Sequence, residues 1–321
     1  MDSESPVQLP PLTDPEAFRA WRTDPALWQP AVADIARSHR LPHDAMQAFR
    51  TGTNLVVALE DRLILKLFPP MFRSQFVSER TTLRQLAGHL DLPIPEIVLE
   101  GERDQWPYLV ITRLDGILGT QAWPQLADDQ KERVLHHIGE TIAQVQRAPL
   151  GELAGIEPDW PTFLARQMAG CRARHERLGL PQKYLAELDD LVAQAPALIP
   201  MHTPPVILIG EFIPENLLLG QHADGWQLAG LFDFGDVMTG WGEYDLLGPT
   251  SFMTAGKPAR LHSLLRGYGY GPADINAALT RRLMILTLLH RASDLVRQLC
   301  IPDWQDKART LGELERLLWP L

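Results

Sequence analysis

Near residue 113 the hydrophobic pattern of this 321-residue chain changes period, and the change limits the folds open to it. Upstream, Leu55–Leu59 and Leu63–Phe68 are short apolar runs separated by Glu60 and Asp61, which predicts two strands and a turn, ended by Pro69 and Pro70. A helix is predicted from Ser74 to Leu90, with Phe76, Leu83 and Leu86 on one side and Asp91–Pro95 stopping it. Two more strand-like pieces follow, Ile97–Leu99 and Tyr108–Thr112. Downstream, Asp128–Arg147 repeats apolar residues at helical spacing: Val134, Leu135, Ile138, Ile142 and Val145. Pro161–Leu178, Pro181–Gln194, Asp274–Leu299 and Gln305–Leu318 also read as helices, around one β-like island, Val206–Phe234. The pattern predicts an α+β chain of two lobes: residues 1–113, a β-rich lobe with an N-terminal arm, and residues 114–321, mostly helical. Within the arm, residues 1–16 read as loose, and two helices follow to Arg40 with Phe18, Trp21 and Leu27 as buried positions.

Composition removes several classes. Forty acidic against thirty basic side chains give a formal charge of −10, whereas duplex-binding proteins carry a basic surplus, so no nucleic-acid partner is expected. An acidic surface favours cationic ligands. Two cysteines, Cys171 and Cys300, support neither a disulfide framework nor a zinc site. The acidic start Met1-Asp-Ser-Glu4 lacks the apolar core of a signal peptide, and no run is long enough to span a membrane. A soluble, cytoplasmic protein is expected, its oligomeric state open.

Lys66 is one of five lysines and lies within an apolar run, where it either snorkels to solvent or pairs with a fixed anion. Glu79, thirteen residues on, opens the helix that would pack against that strand; such a Lys–Glu pair holds a lysine where it meets nucleotide phosphates. In Phe49–Asn54, a turn at Gly52 either closes an ordinary hairpin or lets backbone amides approach a phosphate. The most informative stretch is 206–248. Glu211 and Asn216 stand on a loop between two short apolar strands, and Asp233 follows a third. A carboxylate, an amide oxygen and a second carboxylate gathered at one edge of a small sheet can orient a hydroxyl and hold hard cations. Phosphoryl transfer needs these parts, since its catalysis is mainly positioning and charge neutralisation.

On these residues the chain resembles the aminoglycoside phosphotransferase family, small-molecule relatives of the protein kinases. The family loop His-Gly-Asp, four residues, then Asn matches Ile209-Gly210-Glu211 and Asn216; its metal motif matches Phe232-Asp233-Phe234-Gly235-Asp236; and Tyr244-Asp245-Leu246-Leu247 follows. Lys66, Glu79, Leu92–Pro95 and the hinge-like Tyr108–Gly116 fit the first lobe, and Leu27–Ala31 is most similar to hygromycin B-phosphorylating members. The resemblance implies a two-lobed protein-kinase-like fold and transfer of a phosphoryl group from ATP, or alternatively GTP, to a small, cationic acceptor such as hygromycin B. It implies Glu211 and Asn216 as catalytic residues and Asn216 and Asp233 as Mg2+ ligands. Nucleotide contacts would come from Lys66, Glu79, Gly52, Thr53, Thr112 and Leu114, with adenine against the Ile111–Leu114 backbone. Asp245 would be structural, while Glu243 is an acidic candidate for attracting a polyamine.

Two departures stand out: Glu211 replaces the catalytic Asp, and Ile209 replaces the preceding His, so that apolar packing must hold the loop. One methylene shifts a carboxylate by roughly 1.5 Å at full extension. Two alternatives stay open: a nucleotide-binding pseudokinase with a regulatory role, and a metabolite kinase of the choline or sugar-amine type.

Overall fold

The computed structural model describes residues 7–50, 52–223 and 225–321. The acidic start Met1–Glu4 lies outside the described residues, as does Thr51 beside Gly52. Contacts gather the chain into two compact units. One comprises the described residues up to Ala87, Ile94–Leu114 and Asp233–Gly235; the other comprises Gly88–Pro93, Asp115–Phe232 and Asp236–Leu321.

The first unit opens with α1 (Pro15–Thr23) and α2 (Pro25–Ser38). Each starts with an aspartate cap followed by proline: Asp14 accepts from the Ala17 N–H at 2.7 Å and Asp24 from the Ala26 N–H at 3.0 Å. A five-stranded antiparallel sheet follows, in the order β1-β2-β3-β5-β4. Its strands are β1 (Met46–Ala48), β2 (Leu55–Leu59), β3 (Leu63–Leu67), β4 (Ile97–Arg103) and β5 (Trp106–Thr112). Strand β1 is the strand before Phe49–Asn54 that a hairpin there requires, and it pairs with β2; β4 runs beyond Leu99. Period-two alternation sorts the side chains. Leu55, Val57, Leu59, Leu65, Leu67, Trp106, Tyr108 and Val110 join Phe18, Trp21, Trp28 and Ile35 in one core. Lys66, one position out of phase with Leu65 and Leu67, faces the other side of the sheet, where α3 (Arg73–Leu86) lies.

Three expectations for this unit need correction. Leu27 is 51% exposed, because the buried stripe of α2 runs through Trp28, Ala31, Val32 and Ile35, one residue out of step with it. The segment before Asp14 is not loose in its described part: Leu9 is buried and donates its N–H to Asp104 at 2.8 Å, and Trp106 Nε1 donates to the Pro10 carbonyl at 2.9 Å. Helix α3 stops at Leu86 rather than Leu90, and Gly88 takes φ +74°, a left-handed conformation that ends helices.

The second unit has two small antiparallel sheets. One orders β6 (Ile117–Leu118), β8 (Leu217–His222) and β9 (Gly225–Leu231); the other pairs β7 (Val206–Leu208) with β10 (Met238–Gly240). The β-like island therefore divides between two sheets instead of forming one. Around them lie α4 (Gly119–Ala122), α5 (Asp128–Arg147), α6 (Trp160–Arg177), α7 (Gln182–Val192) and α8 (Ala195–Leu198). After β10 come α9 (Leu247–Phe252), α10 (Pro258–Tyr268), α11 (Ala277–Leu289), α12 (Leu295–Gln298), α13 (Trp304–Lys307) and α14 (Leu311–Leu318). Helix α10 escaped the sequence reading although Pro258 begins it and Gly269, at φ +106°, ends it. It packs tightly on α5: a Cβ at Gly267 would overlap the His136 carbonyl, and one at Gly139 would overlap the Leu264 carbonyl. The single helix expected over 274–299 is broken after Leu289, where His290 is extended and Asp294 caps a new turn. The one expected over 305–318 splits at Thr310, which caps α14 by accepting from the Glu313 N–H at 3.0 Å. Among the described residues no helix is long and apolar enough to cross a membrane.

Candidate active site

In the first unit, Lys66 is held on the central strand β3, paired to β2 and β5. Its Nζ donates to Glu79 Oε2 at 2.5 Å and to Asp233 Oδ1 at 3.0 Å. The lysine and Glu79 are buried, whereas the Asp233 side chain is 40% exposed. Burial alone would lower the Lys66 pKa, but the two carboxylates outweigh it and hold the ammonium above its ordinary value. Burial pushes Glu79 up to about 7, and the charge of Lys66 recovers only part of that. The charge of Lys66 holds Asp233 below the ordinary carboxylate range against the burial that opposes it. A buried cation thus lies against one enclosed and one partly open carboxylate. Asp233 adopts φ +69°, unusual for a residue with a side chain. On α3, Ser78 donates to the Phe234 carbonyl at 3.1 Å, fastening the segment that carries Asp233.

In the second unit, β7 ends at Leu208 and the chain turns through Gly210, at φ +77°, into a loop ending at Asn216. Asn216 Nδ2 donates to the Glu211 carbonyl at 3.3 Å and to its Oε2 at 3.2 Å. The N–H of Phe232, the residue before Asp233, donates to the Asn216 carbonyl at 3.1 Å. Apolar packing of Ile209 does not hold this loop by itself. Asp245, fully enclosed below it, accepts from the Ile209 N–H at 3.1 Å and the Gly210 N–H at 2.6 Å. Burial pushes the Asp245 carboxyl up to about 7, with the two N–H groups and Gln146 offsetting part. Asp245 is therefore structural. Glu243 is also spoken for: buried, it accepts from Arg282 at 2.6 and 2.8 Å and from Tyr270 at 2.9 Å, so it offers no open charge to a polyamine.

The remaining residues named from the sequence stand apart from these clusters. Gly52, at φ +87°, and Thr53 are exposed on the turn between β1 and β2. Thr112 Oγ1 accepts from the Glu96 N–H at 2.9 Å, and Leu114 is half-buried at the end of the first unit's second stretch. No described hydrogen bond joins these four to Lys66. The sequence reading overlooked Asn54, whose Nδ2 donates to Gln75 of α3 at 2.8 Å and ties the Gly52 turn to that helix. It overlooked Arg291 as well, whose Nη1 donates to the Asp236 carbonyl at 2.9 Å.

The donors suit Mg2+ in kind. Asp233 offers a partly exposed carboxylate, and Asn216, with Nδ2 committed to Glu211, offers an amide oxygen. Among the described residues no group of three or more His, Cys, Asp or Glu could hold a metal ion. Mg2+ commonly binds through one or two protein oxygens, with water and phosphate completing its shell, and each of these two residues offers one oxygen donor of that kind.

The first unit thus carries a buried Lys–Glu pair on its five-stranded antiparallel sheet, and the helical unit carries a Glu–Asn loop, the parts that the resemblance to small-molecule kinases implies. Residues 47–278 match the profile of the phosphotransferase enzyme family (APH), and the chain belongs to that family. It is a small-molecule phosphotransferase. Solved structures share its fold. The GDP complex of wild-type aminoglycoside 2'-phosphotransferase-IIIa aligns with a TM-score of 0.65 at 19% identity, covering 89% of this chain and 96% of that one. The streptomycin–ATP ternary complex of APH(2")-IIa gives 0.57 at 14% identity, covering 82% and 90%. The apoenzyme of macrolide 2'-phosphotransferase MphH from Brachybacterium faecium gives 0.56 at 20% identity, covering 81% and 90%. No curated protein sequence matches the chain.

Proposed function

We propose that the chain transfers the terminal phosphoryl group of ATP to a hydroxyl of a small, cationic acceptor, with an aminoglycoside such as hygromycin B as the preferred candidate. GTP is the alternative donor. The observation that carries the reading is Lys66, a buried cation held between Glu79 and Asp233 and poised to meet nucleotide phosphates. In this reading the Gly52 and Thr53 amides cover the phosphates, and the Ile111–Leu114 backbone receives the base. Asp233 and Asn216 would hold Mg2+, which would neutralise phosphate charge. Glu211 accepts and orients the acceptor hydroxyl; its Oε2 already takes a hydrogen bond from Asn216, which aligns the carboxylate. Little covalent chemistry falls to the protein, because the phosphoryl group passes through a loose transition state and positioning supplies most of the rate. The enzyme would act in the cytoplasm, where ATP is plentiful.

The family and the bound ligands named for structural neighbours, GDP, ATP and streptomycin among them, support a nucleotide donor and an antibiotic-like acceptor. The net charge of −10 favours a cationic one. The pseudokinase reading draws on Ile209 and Glu211, but the lysine, both of its carboxylate partners and the asparagine are all present. Expression in a sensitive bacterial host, screened against hygromycin B, kanamycin and streptomycin, tests the acceptor class. The parent should raise tolerance to at least one drug, and Asp233→Ala should abolish the gain. A soluble, ATP-binding parent that protects against none would overturn the antibiotic reading and favour a metabolite acceptor.

A further inference from the structure

Helix α11 ends at Leu289, and the two residues after it run against the Glu211 loop. The Arg291 N–H donates to the Tyr244 hydroxyl at 3.3 Å. Its guanidinium is fixed at one end by Asp236, with Nη1 2.9 Å from the carbonyl oxygen and 3.4 Å from Oδ1. The other nitrogen, Nη2, is buried without a hydrogen bond and faces Glu211 Oε1 at 3.6 Å. That separation is an ion pair but too long for a hydrogen bond. A buried guanidinium donor left unmatched is costly, and here the cost is borne beside the carboxylate that departs from the family pattern.

We infer that Arg291 is a positioning residue for Glu211. The inference rests on the catalytic reading of Glu211 proposed above. A glutamate has one more rotatable bond than the aspartate it replaces, so its carboxylate needs an additional constraint to stay in a productive orientation. Asn216 supplies a hydrogen bond to Oε2, and Arg291 supplies a fixed positive charge toward Oε1. The two act on different oxygens and restrict the carboxylate from both sides. Asp236 sets the direction of the guanidinium and balances its charge.

The test measures turnover of ATP and Mg2+ with hygromycin B, or slow ATP hydrolysis if no acceptor reacts, for Arg291→Gln, Arg291→Lys, Glu211→Gln and the double variant Glu211→Gln/Arg291→Gln. Arg291→Gln should lower kcat by roughly ten- to a hundredfold, the range expected for a misplaced catalytic group, and leave the KM for ATP within about twofold. Arg291→Lys keeps the charge and should recover part of the rate. In the double variant the losses should not add, because both changes disable one device. An Arg291→Gln enzyme with parental kcat, or fully additive losses in the double variant, would overturn the inference and leave the function intact. If Arg291→Gln does not fold, a Lys variant with no loss beyond that of Glu211→Gln in the corresponding double still supports coupling, and additive losses there overturn it. A Glu211→Gln enzyme as fast as the parent, or a parent without any turnover, would instead remove the catalytic reading on which the inference stands.

Discussion

Glu211 is where a single methylene matters most. The loop backbone is pinned by Asp245 through two N–H groups, so the carboxylate cannot be brought back simply by sliding the loop. Glu211→Gln keeps the side-chain size and removes the charge; it should cost at least tenfold in kcat with unchanged affinity for ATP, measured by steady-state kinetics. Glu211→Asp should fall between the parent and the Gln variant, because the shorter side chain sits on a backbone matched to the longer one. A Gln variant at parental speed would exclude a catalytic carboxylate here. The residues of the two clusters differ in how legible they were. Lys66, Glu79, Glu211, Asn216 and Asp233 stand in short local patterns whose spacing is visible in the chain. Arg291 does not: it meets Glu211 across 80 positions, only because α11 breaks after Leu289, and no local pattern encodes that break. Asn54 was hidden for the same reason, its partner Gln75 lying on a different element.

Among elements, β2 and β3 matched the apolar runs that marked them, because both faces of these inner strands are largely covered, and α5 matched its helical spacing because it buries one face. The misses came where tertiary contact overrides local pattern. Trp28 displaces Leu27 from the core of α2, and α10 is short and interrupted by charge. The close approach of α10 to α5 depends on Gly267 and Gly139, which have no side chain to hold the helices apart. In an ordinary helix Gly→Ala is stabilising; Gly267→Ala should instead destabilise by about 1–3 kcal/mol, the usual cost of overpacking, seen as a lower Tm or denaturant midpoint. A stabilised variant would show that the helices separate freely. The segment after α11 makes a second prediction. Burial, with the charge of Arg291, pushes His290 down to about 4, and a hydrogen bond to the Gly210 backbone offsets part of this. A depressed histidine contributes stability above its ordinary value near 6.5 and loses it as pH falls through the folded value near 4. Glu79 and Asp245, both raised to about 7, act in the opposite sense over the same range, so the effect must be read as a difference. The Tm advantage of the parent over His290→Gln should therefore shrink between pH 6.5 and pH 4; an advantage independent of pH would mean that His290 is not held neutral by the fold.

For the molecule as a whole, the division of labour follows the two units. Lys66, Glu79 and Asp233 belong to the first, and Glu211, Asn216 and Arg291 to the second. Asp233–Gly235 lies far along the sequence from the rest of the first unit, and there it places the Asp233 carboxylate beside Lys66 and buries Phe234, whose carbonyl accepts from Ser78. The proposed activity is transfer of phosphate from ATP to a small cationic acceptor. It is tested most directly by following labelled γ-phosphate from ATP, with Mg2+ present, onto hygromycin B and a panel of aminoglycosides, using the purified parent beside Lys66→Ala. The parent should yield a phosphorylated drug, and Lys66→Ala should lose at least about a hundredfold in rate. Transfer at the same rate by both proteins would contradict the role of Lys66, and a parent that binds ATP yet labels no acceptor and releases no phosphate would contradict the enzyme itself.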